Sequence, residues 1–421
     1  MNTPSSAPDA APGPLTRNRG FQRFWGARVL ASMSFQMLAV AMGWHVYALT
    51  KSAFALGLVG LSQFLPMFLL TLVVGHVADR YDRRRIAAVC QAIECAAALI
   101  FAWGTFGGWL SAPVIYALAA CVGAARAFES PAISSLLPAV VPRSQLPTAT
   151  AWSTSAGQTA QIVGPALGGL LYGVGAGPAY LVCALSFAVA AMLSSAIPLQ
   201  ARPAVRAPVT LASVFSGIAF IRSQPVILGA LSLDLFAVLF GGATALLPVF
   251  ARDILHAGPL ALGLLRSASA VGALAGSIWL AHFPLRRRPG LAMFGGVIVF
   301  GCATIAFGLS HNIAVSLVAL AVLGASDVVS VVVRTSLVQL RTPEDTLGRV
   351  SAVNSLFIGT SNQLGEFESG LTAGWWGAQP AVLVGGVATI GVALLWMKLF
   401  PALREARSLE HEETRAAAGA G

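Results

Sequence analysis

The chain is poor in charge. Asp, Glu, Lys and Arg make up 10% of its 421 residues, against about a quarter of a soluble domain. That scarcity excludes, for the chain as a whole, an ordinary soluble domain, a disordered chain and a coiled coil. No P-loop pattern is present, so ATP is not the evident energy source, and no zinc or hydrolase signature occurs. Cysteine is scarce as well. Cys90, Cys95, Cys121, Cys183 and Cys302 all lie inside apolar runs without ligand spacing and read as small packing residues. His45, His256 and His311 fall near span ends, and His76 and His282 at matched ends, none of them grouped for a metal. Neither a metal nor another cofactor is expected, and no enzymatic or catalytic residue is assigned.

What the chain has instead is apolar text: 57% hydrophobic residues and a mean hydropathy of +0.78. A helical span takes about 20 apolar residues, and twelve apolar segments can be marked. They run near 27–49, 53–77, 86–106, 113–136, 148–173, 178–198, 226–251, 258–282, 290–309, 312–339, 348–374 and 379–400. The first follows Arg17, Arg19 and Arg23 without a cleavage-site pattern and reads as a span, not a removed signal. An all-α integral membrane fold follows.

The formal charge of +10 does not point to nucleic acid, because the basic residues sit in short breaks between apolar runs. Of the 26, Arg28, Arg126 and Arg334 lie inside spans, and Lys51, Arg252 and Arg266 fall on one side. The remaining twenty fall on the other, a decisive positive-inside bias that makes both termini cytoplasmic. The expected organisation is a disordered tail over 1–20, a six-helix bundle over 21–200, a linker over 201–225, a second bundle over 226–401 and a tail over 402–421. Within the linker, Leu211, Val214, Phe215, Ile218 and Ile221 at helical spacing predict an amphipathic interfacial helix.

An internal repeat supports the six-and-six division. At an offset of 201, residues 123–173 align without gaps on 324–374, pairing Gly123 with Gly324, Gly164 with Gly365, Gly169 with Gly370 and Gly173 with Gly374. At an offset of 206, Ala55 to Leu58 meets Ala261 to Leu264. Matched glycines read as close helix packing. Two six-helix halves related by a repeat are a transporter architecture.

Two motifs are more specific. Gly75-His76-Val77-Ala78-Asp79-Arg80-Tyr81-Asp82-Arg83-Arg84-Arg85 lies between spans 2 and 3. It resembles the signature loop of the major facilitator superfamily, with Asp82 where the pattern has glycine. Gly164-Pro165-Ala166-Leu167-Gly168-Gly169 in span 5 resembles the antiporter motif of that superfamily's drug exporters, with Ala160 where a glycine commonly precedes it. The stretches Arg126 to Leu170 and Arg341 to Val350 are similar to the macrolide-efflux and enterobactin-exporter branch. The resemblance implies twelve transmembrane helices in two six-helix repeats, the major facilitator fold. It implies that spans 1, 4, 7 and 10 line a central cavity. It also implies that Asp79 meets the start of span 11, near Arg349, to hold the inner side closed, with Gly75 permitting the approach and Arg80, Arg83 and Arg84 completing the loop; the internal repeat sets Leu285 opposite Asp79 in the second half.

Ionisable residues inside spans are costly and mark functional positions. Asp234, Asp327, Glu366 and Glu368 are the proton-coupling candidates, because a desolvated acid keeps its proton more readily. Asp234 carries most weight. Glu366 and Glu368, two residues apart, point about 200° from one another on a helix, and the sequence leaves open which faces the cavity. Arg28, Arg126 and Glu129 are the cavity or substrate candidates, with local pairing of Arg126 and Glu129 as the alternative. Glu94 reads as a structural partner of Arg126. Gly164, Pro165, Gly168 and Gly169 form the antiporter-type motif.

The expected function is export of a small organic molecule in exchange for protons, from a bacterial inner membrane, by a functional monomer. An enterobactin-type siderophore, a macrolide or another amphipathic drug is the cargo implied by the resemblance. The partners expected are substrate, protons and the bilayer, without nucleic acid. Proton-coupled or facilitative uptake, lipid flipping, and a non-transporting receptor are the alternatives.

Overall fold

The computed structural model describes residues 15–198, 211–283, 285 and 288–406, and no strand occurs among them. Arg202 and Arg206 of the linker, Arg286 and Arg287, and most of both expected tails lie outside the described residues. The first half consists of α1 (Arg19–Thr50), α2 (Ala53–Arg80), α3 (Arg83–Phe106), α4 (Ala112–Val140), α5 (Leu146–Val174) and α6 (Ala176–Ser195). A short helix, α7 (Leu211–Ser223), precedes the second half. That half holds α8 (Pro225–Phe240), α9 (Pro259–His282), α10 (Pro289–Leu309), α11 (Ile313–Arg341), α12 (Glu344–Trp376) and α13 (Ala378–Leu399).

Helices are the structural answer to a bilayer, where each backbone group must bond within its own segment. Ten segments are long and apolar enough to cross a membrane. α5 and α12 fall short of that measure because α5 is rich in Ser, Thr and Gly and α12 in Glu, Gln, Asn and Gly. They nevertheless have 29 and 33 residues and pack among the others, consistent with twelve spans. Large apolar side chains such as Leu69, Phe106, Val174, Leu185 and Val318 stay exposed on the outer helix faces, as lipid contact requires.

Two spans differ from the sequence expectation for local reasons. α1 starts eight residues early because Asn18 caps it, its side-chain oxygen accepting from the amides of Gly20 (2.9 Å) and Phe21 (3.1 Å). The seventh span is broken. α8 stops at Phe240 before Gly241-Gly242, and the chain resumes through a 3-10 turn and a π-helical turn over Phe250–Ile254. Gly242 is needed there, since a side chain would strike the carbonyl of Gly365 on α12.

Within the first half α3 packs on α6, α1 on α5 and α6, and α2 on α4. In the second, α9 packs on α11, α10 on α11 and α13, and α8 on α12 and α13. The repeat survives at atomic detail. A Cβ at Gly123 on α4 would collide with the backbone of Gln63 on α2, and one at Gly324 on α11 with the backbone of Ser269 on α9. The expected packing at Gly173 is absent, because a side chain there would meet open space.

Candidate transport site

The halves meet along two seams, α2 against α12 and α5 against α9. Glycines set both. Gly57 packs on Gly370 and Phe367, Gly169 on the carbonyl of Pro259, and Gly263 on the carbonyl of Pro165. These contacts lie toward the face opposite the chain termini. There, the Tyr47 hydroxyl on α1 donates to Asp253, and the Arg252 guanidinium lies 5.9 Å from the Trp44 ring centroid. The two halves are therefore closed against each other on that face.

Between the seams lies a cavity of about 220 Å³. Its polar lining comes from both halves: Gln36 of α1, Gln63 of α2, Thr244 of the broken seventh span, Arg266 of α9, and Gln363 and Glu366 of α12. Arg266 and Glu366 face the same space without forming a direct ion pair. Glu366 lies against Gly60, where a Cβ would stand 2.9 Å from its carboxylate oxygen. Glu368 is half-buried and does not line the cavity, so the two acids separate as the helix period requires. Counting Arg266 by topology alone hid its place in the cavity. The amides of Gln36, Gln63 and Gln363 carry no charge that would mark them within an apolar span. The i, i+3 pairs Gly60/Gln63 and Gln363/Glu366, facing one another across the halves, were the available signal.

The sequence-derived cavity residues sit deeper than expected. Asp234 on α8 is buried and forms an ion pair with Arg334 on α11, while the Ser330 hydroxyl donates to its other oxygen at 3.0 Å. Asp327 shares a small pocket with Asp234 between α8, α10 and α11, inside the second half. In the first half Arg126 pairs with Glu129 at 2.6 Å and lies 4.3 Å from the Phe35 ring centroid. Glu129 is fully buried and also accepts from Gln91 at 2.9 Å. Arg28 donates from Nε to the Ser153 carbonyl of α5 at 3.1 Å. None of these six ionisable groups lines the cavity between the halves, although Phe35, on which Arg126 rests, does. The local Arg126–Glu129 pair is present, and Glu94 is not the partner of Arg126. Pairing inside each half satisfies these charges better than exposure to an apolar span environment.

The antiporter-type motif sits where three helices converge. Gly164 and Gly168 face Gln36 and Met37 of α1, Gly169 faces α9, and Pro165 is buried. Gly75 and Asp79 of the signature segment fall in the last turns of α2, and the Asp79 side chain lies outside the described residues. Arg80 is exposed and Arg83 half-buried. Arg84 joins Asp82 at 2.7 Å and donates to the Ile197 carbonyl at 2.9 Å, while Arg349 donates to Ser216 of α7 at 3.3 Å.

Two helical halves built on a repeat, meeting over a polar cavity that is closed on one face, define a membrane carrier of the major facilitator type. The chain belongs to the transmembrane secretion effector family of that superfamily, whose model matches residues 10–417. It is 24% identical over 397 residues to macrolide efflux protein A of Streptococcus pyogenes, covering 93% of this chain and 97% of that one. It is 26% identical over 401 residues to the enterobactin exporter EntS of Citrobacter koseri, covering 93% and 94%. The fold is similar to that of a bacterial homologue of the human lysosomal transporter Spinster, with a TM-score of 0.75, 14% identity and coverage of 94% and 100%. It is also similar to a bacterial homologue of ferroportin, with a TM-score of 0.69, 17% identity and coverage of 90% and 98%.

Proposed function

We propose that this chain exports a small amphipathic organic molecule across a bacterial inner membrane by proton antiport with alternating access, acting as a monomer. The observation that carries the reading is the polar cavity between the halves, closed on the face opposite the termini. With the basic loops on the cytoplasmic side, that closure corresponds to an inward-facing carrier loading from the cytoplasm. The named relatives support export, and their cargoes, macrolides and enterobactin, are the first compounds to try. Arg266 and Glu366 offer one cation and one acid to a cargo, and the three glutamines offer donors and acceptors. Asp234, Asp327, Glu366 and Glu368 are the proposed proton carriers of the second half. Asp79 and Arg349 are proposed to meet when the cytoplasmic side closes, helped by the partial positive charge at the α12 N-terminus.

In proteoliposomes, an imposed pH gradient should drive uphill movement of a macrolide or of enterobactin, and cargo should dissipate the gradient. Glu366→Gln should leave folding intact and reduce transport by tenfold or more. Full accumulation without any ion gradient would overturn the antiport reading.

A further inference from the structure

The buried cluster of the first half is short of hydrogen-bond donors. Glu129 is satisfied: Oε1 accepts from Gln91 Nε2 at 2.9 Å and Oε2 from Arg126 at 2.6 Å. Because Gln91 must turn its amide nitrogen toward Glu129, its own oxygen faces away and needs a donor, and it has none. Glu94 lies one turn further along the same face of α3, fully buried, with both carboxyl oxygens unpartnered. Three acceptor atoms therefore stand without a donor in one apolar enclosure. An ionised carboxylate so placed would carry a desolvation cost that Arg126, already paired with Glu129, offsets only in part.

We propose that Glu94 holds a proton in this conformation and that Glu94, Gln91, Glu129 and Arg126 together form a proton-binding site in the first half of the carrier. One proton reduces the shortage from three acceptors to one: the protonated oxygen becomes a donor, the Gln91 oxygen is an acceptor on the same helix face, and the cluster holds one cation against one anion. The groups around Glu94 are Glu129 and Arg126 from α4 and Cys90 on α3 itself. On α6, also packed on α3, the titratable groups are Cys183 and Tyr180, and the Tyr180 ring stacks on Phe101, two turns of α3 away from Glu94. Arg28 on α1 reaches instead to Ser153 on α5. The site communicates with the cavity through Arg126, which is 27% exposed and lies over Phe35. A cargo that presses Arg126 onto the acids expels the proton, and one that draws it away retains it. The role in coupling rests on the antiport reading; the protonation does not.

Infrared spectroscopy of the purified carrier at neutral pH tests the proton directly. Wild type should show the C=O stretch of a buried carboxylic acid, shifted by deuteration. The difference spectrum between wild type and Glu94→Gln should contain that band as the Glu94 component, and the difference with Glu405→Gln, at an exposed carboxylate, should lack it. Glu94→Gln replaces one neutral group by another of the same shape, and in proteoliposomes its gradient-driven accumulation should fall several-fold while cargo affinity changes less than twofold. A wild-type spectrum without the band, or a Glu94→Gln spectrum that retains it unchanged, overturns the proposal. A wild type indifferent to the pH gradient would instead overturn the antiport reading, and the band would still decide where the proton sits.

Discussion

The two halves share a scaffold but not a charge plan. The offset of 206 that relates α2 to α9 also sets Arg28 against Asp234, and the offset of 201 sets Arg126 against Asp327. Equivalent positions thus carry opposite signs. The first half completes its cluster with an acid on α4, Glu129, and leaves Glu94 unpartnered. The second completes its cluster with a cation on α11, Arg334, which locks Asp234. Backbone packing tolerates no such divergence, as the matched contacts Gly123–Gln63 and Gly324–Ser269 show. Helix approach is what the repeat preserves, and charge is where each half has become distinct.

The largest effect should come from breaking the closed cluster. Asp234→Ala leaves Arg334 buried and unpaired, and the loss of one partner of a buried pair costs about 3–5 kcal/mol. Thermal unfolding in detergent should show it, and Asp234→Leu combined with Arg334→Met should recover most of it. Glu94→Gln in the open cluster should cost no measurable stability. If the two single variants unfold at the same temperature, the contrast between the halves is wrong. From its sequence position Asp234 is a proton-coupling candidate; in the structure its carboxylate is held by Arg334.

The shared scaffold gives an intermediate effect. Gly123→Ala and Gly324→Ala each force a methyl onto a neighbouring backbone, and overpacking of this kind costs about 1–3 kcal/mol. The two losses should agree, because the contacts are equivalent. Gly173→Ala, where a side chain meets open space, should be neutral. Unequal losses at Gly123 and Gly324 would separate the halves in packing as well as in charge.

Much of this was legible in the chain. Hydropathy marked the spans, and glycine spacing marked the repeat, because both are one-dimensional records of lipid contact and helix approach. The cavity was not legible. Its lining pairs Gln63 with Gln363 across 300 residues, and no local pattern encodes which faces two bundles turn toward each other. The break after Phe240 was written in Gly241-Gly242, but its cause, the approach of Gly365, is tertiary. The structure corrects one pairing: the sequence suggests Glu94 as a partner for Arg126, yet Glu129, one turn away on the same helix, is the carboxylate that pairs with it.

The smallest effect concerns the loop after α2 and its counterpart. Asp82 occupies a glycine position of the signature loop without needing glycine's freedom, at φ −62° and ψ 118°. It caps α3 instead: Oδ1 accepts from the Arg84 amide at 2.9 Å, and both oxygens meet the Arg84 guanidinium. Arg84 in turn caps the end of α6 through the Ile197 carbonyl. In the second half the same offset brings Arg288, at φ 52°, with no side-chain cap on α10. Asp82→Asn keeps the cap acceptor but loses the ion pair, at a cost below about 1 kcal/mol for so exposed a pair. The Arg84 guanidinium holds the Asp82 carboxyl below the usual aspartate range. The unfolded chain therefore takes up this proton at higher pH than the folded one. The ion pair's contribution is complete above the ordinary aspartate pKa and fades as pH falls through the lowered one. The gap in unfolding temperature between wild type and Asp82→Asn should accordingly be constant near neutral pH and close under acid. Arg288→Gly should move the other way, gaining up to about 1 kcal/mol by relieving a left-handed residue, with no dependence on acid. No gap between wild type and Asp82→Asn near neutral pH would show that the cap alone, and not the charge, holds the first half's loop.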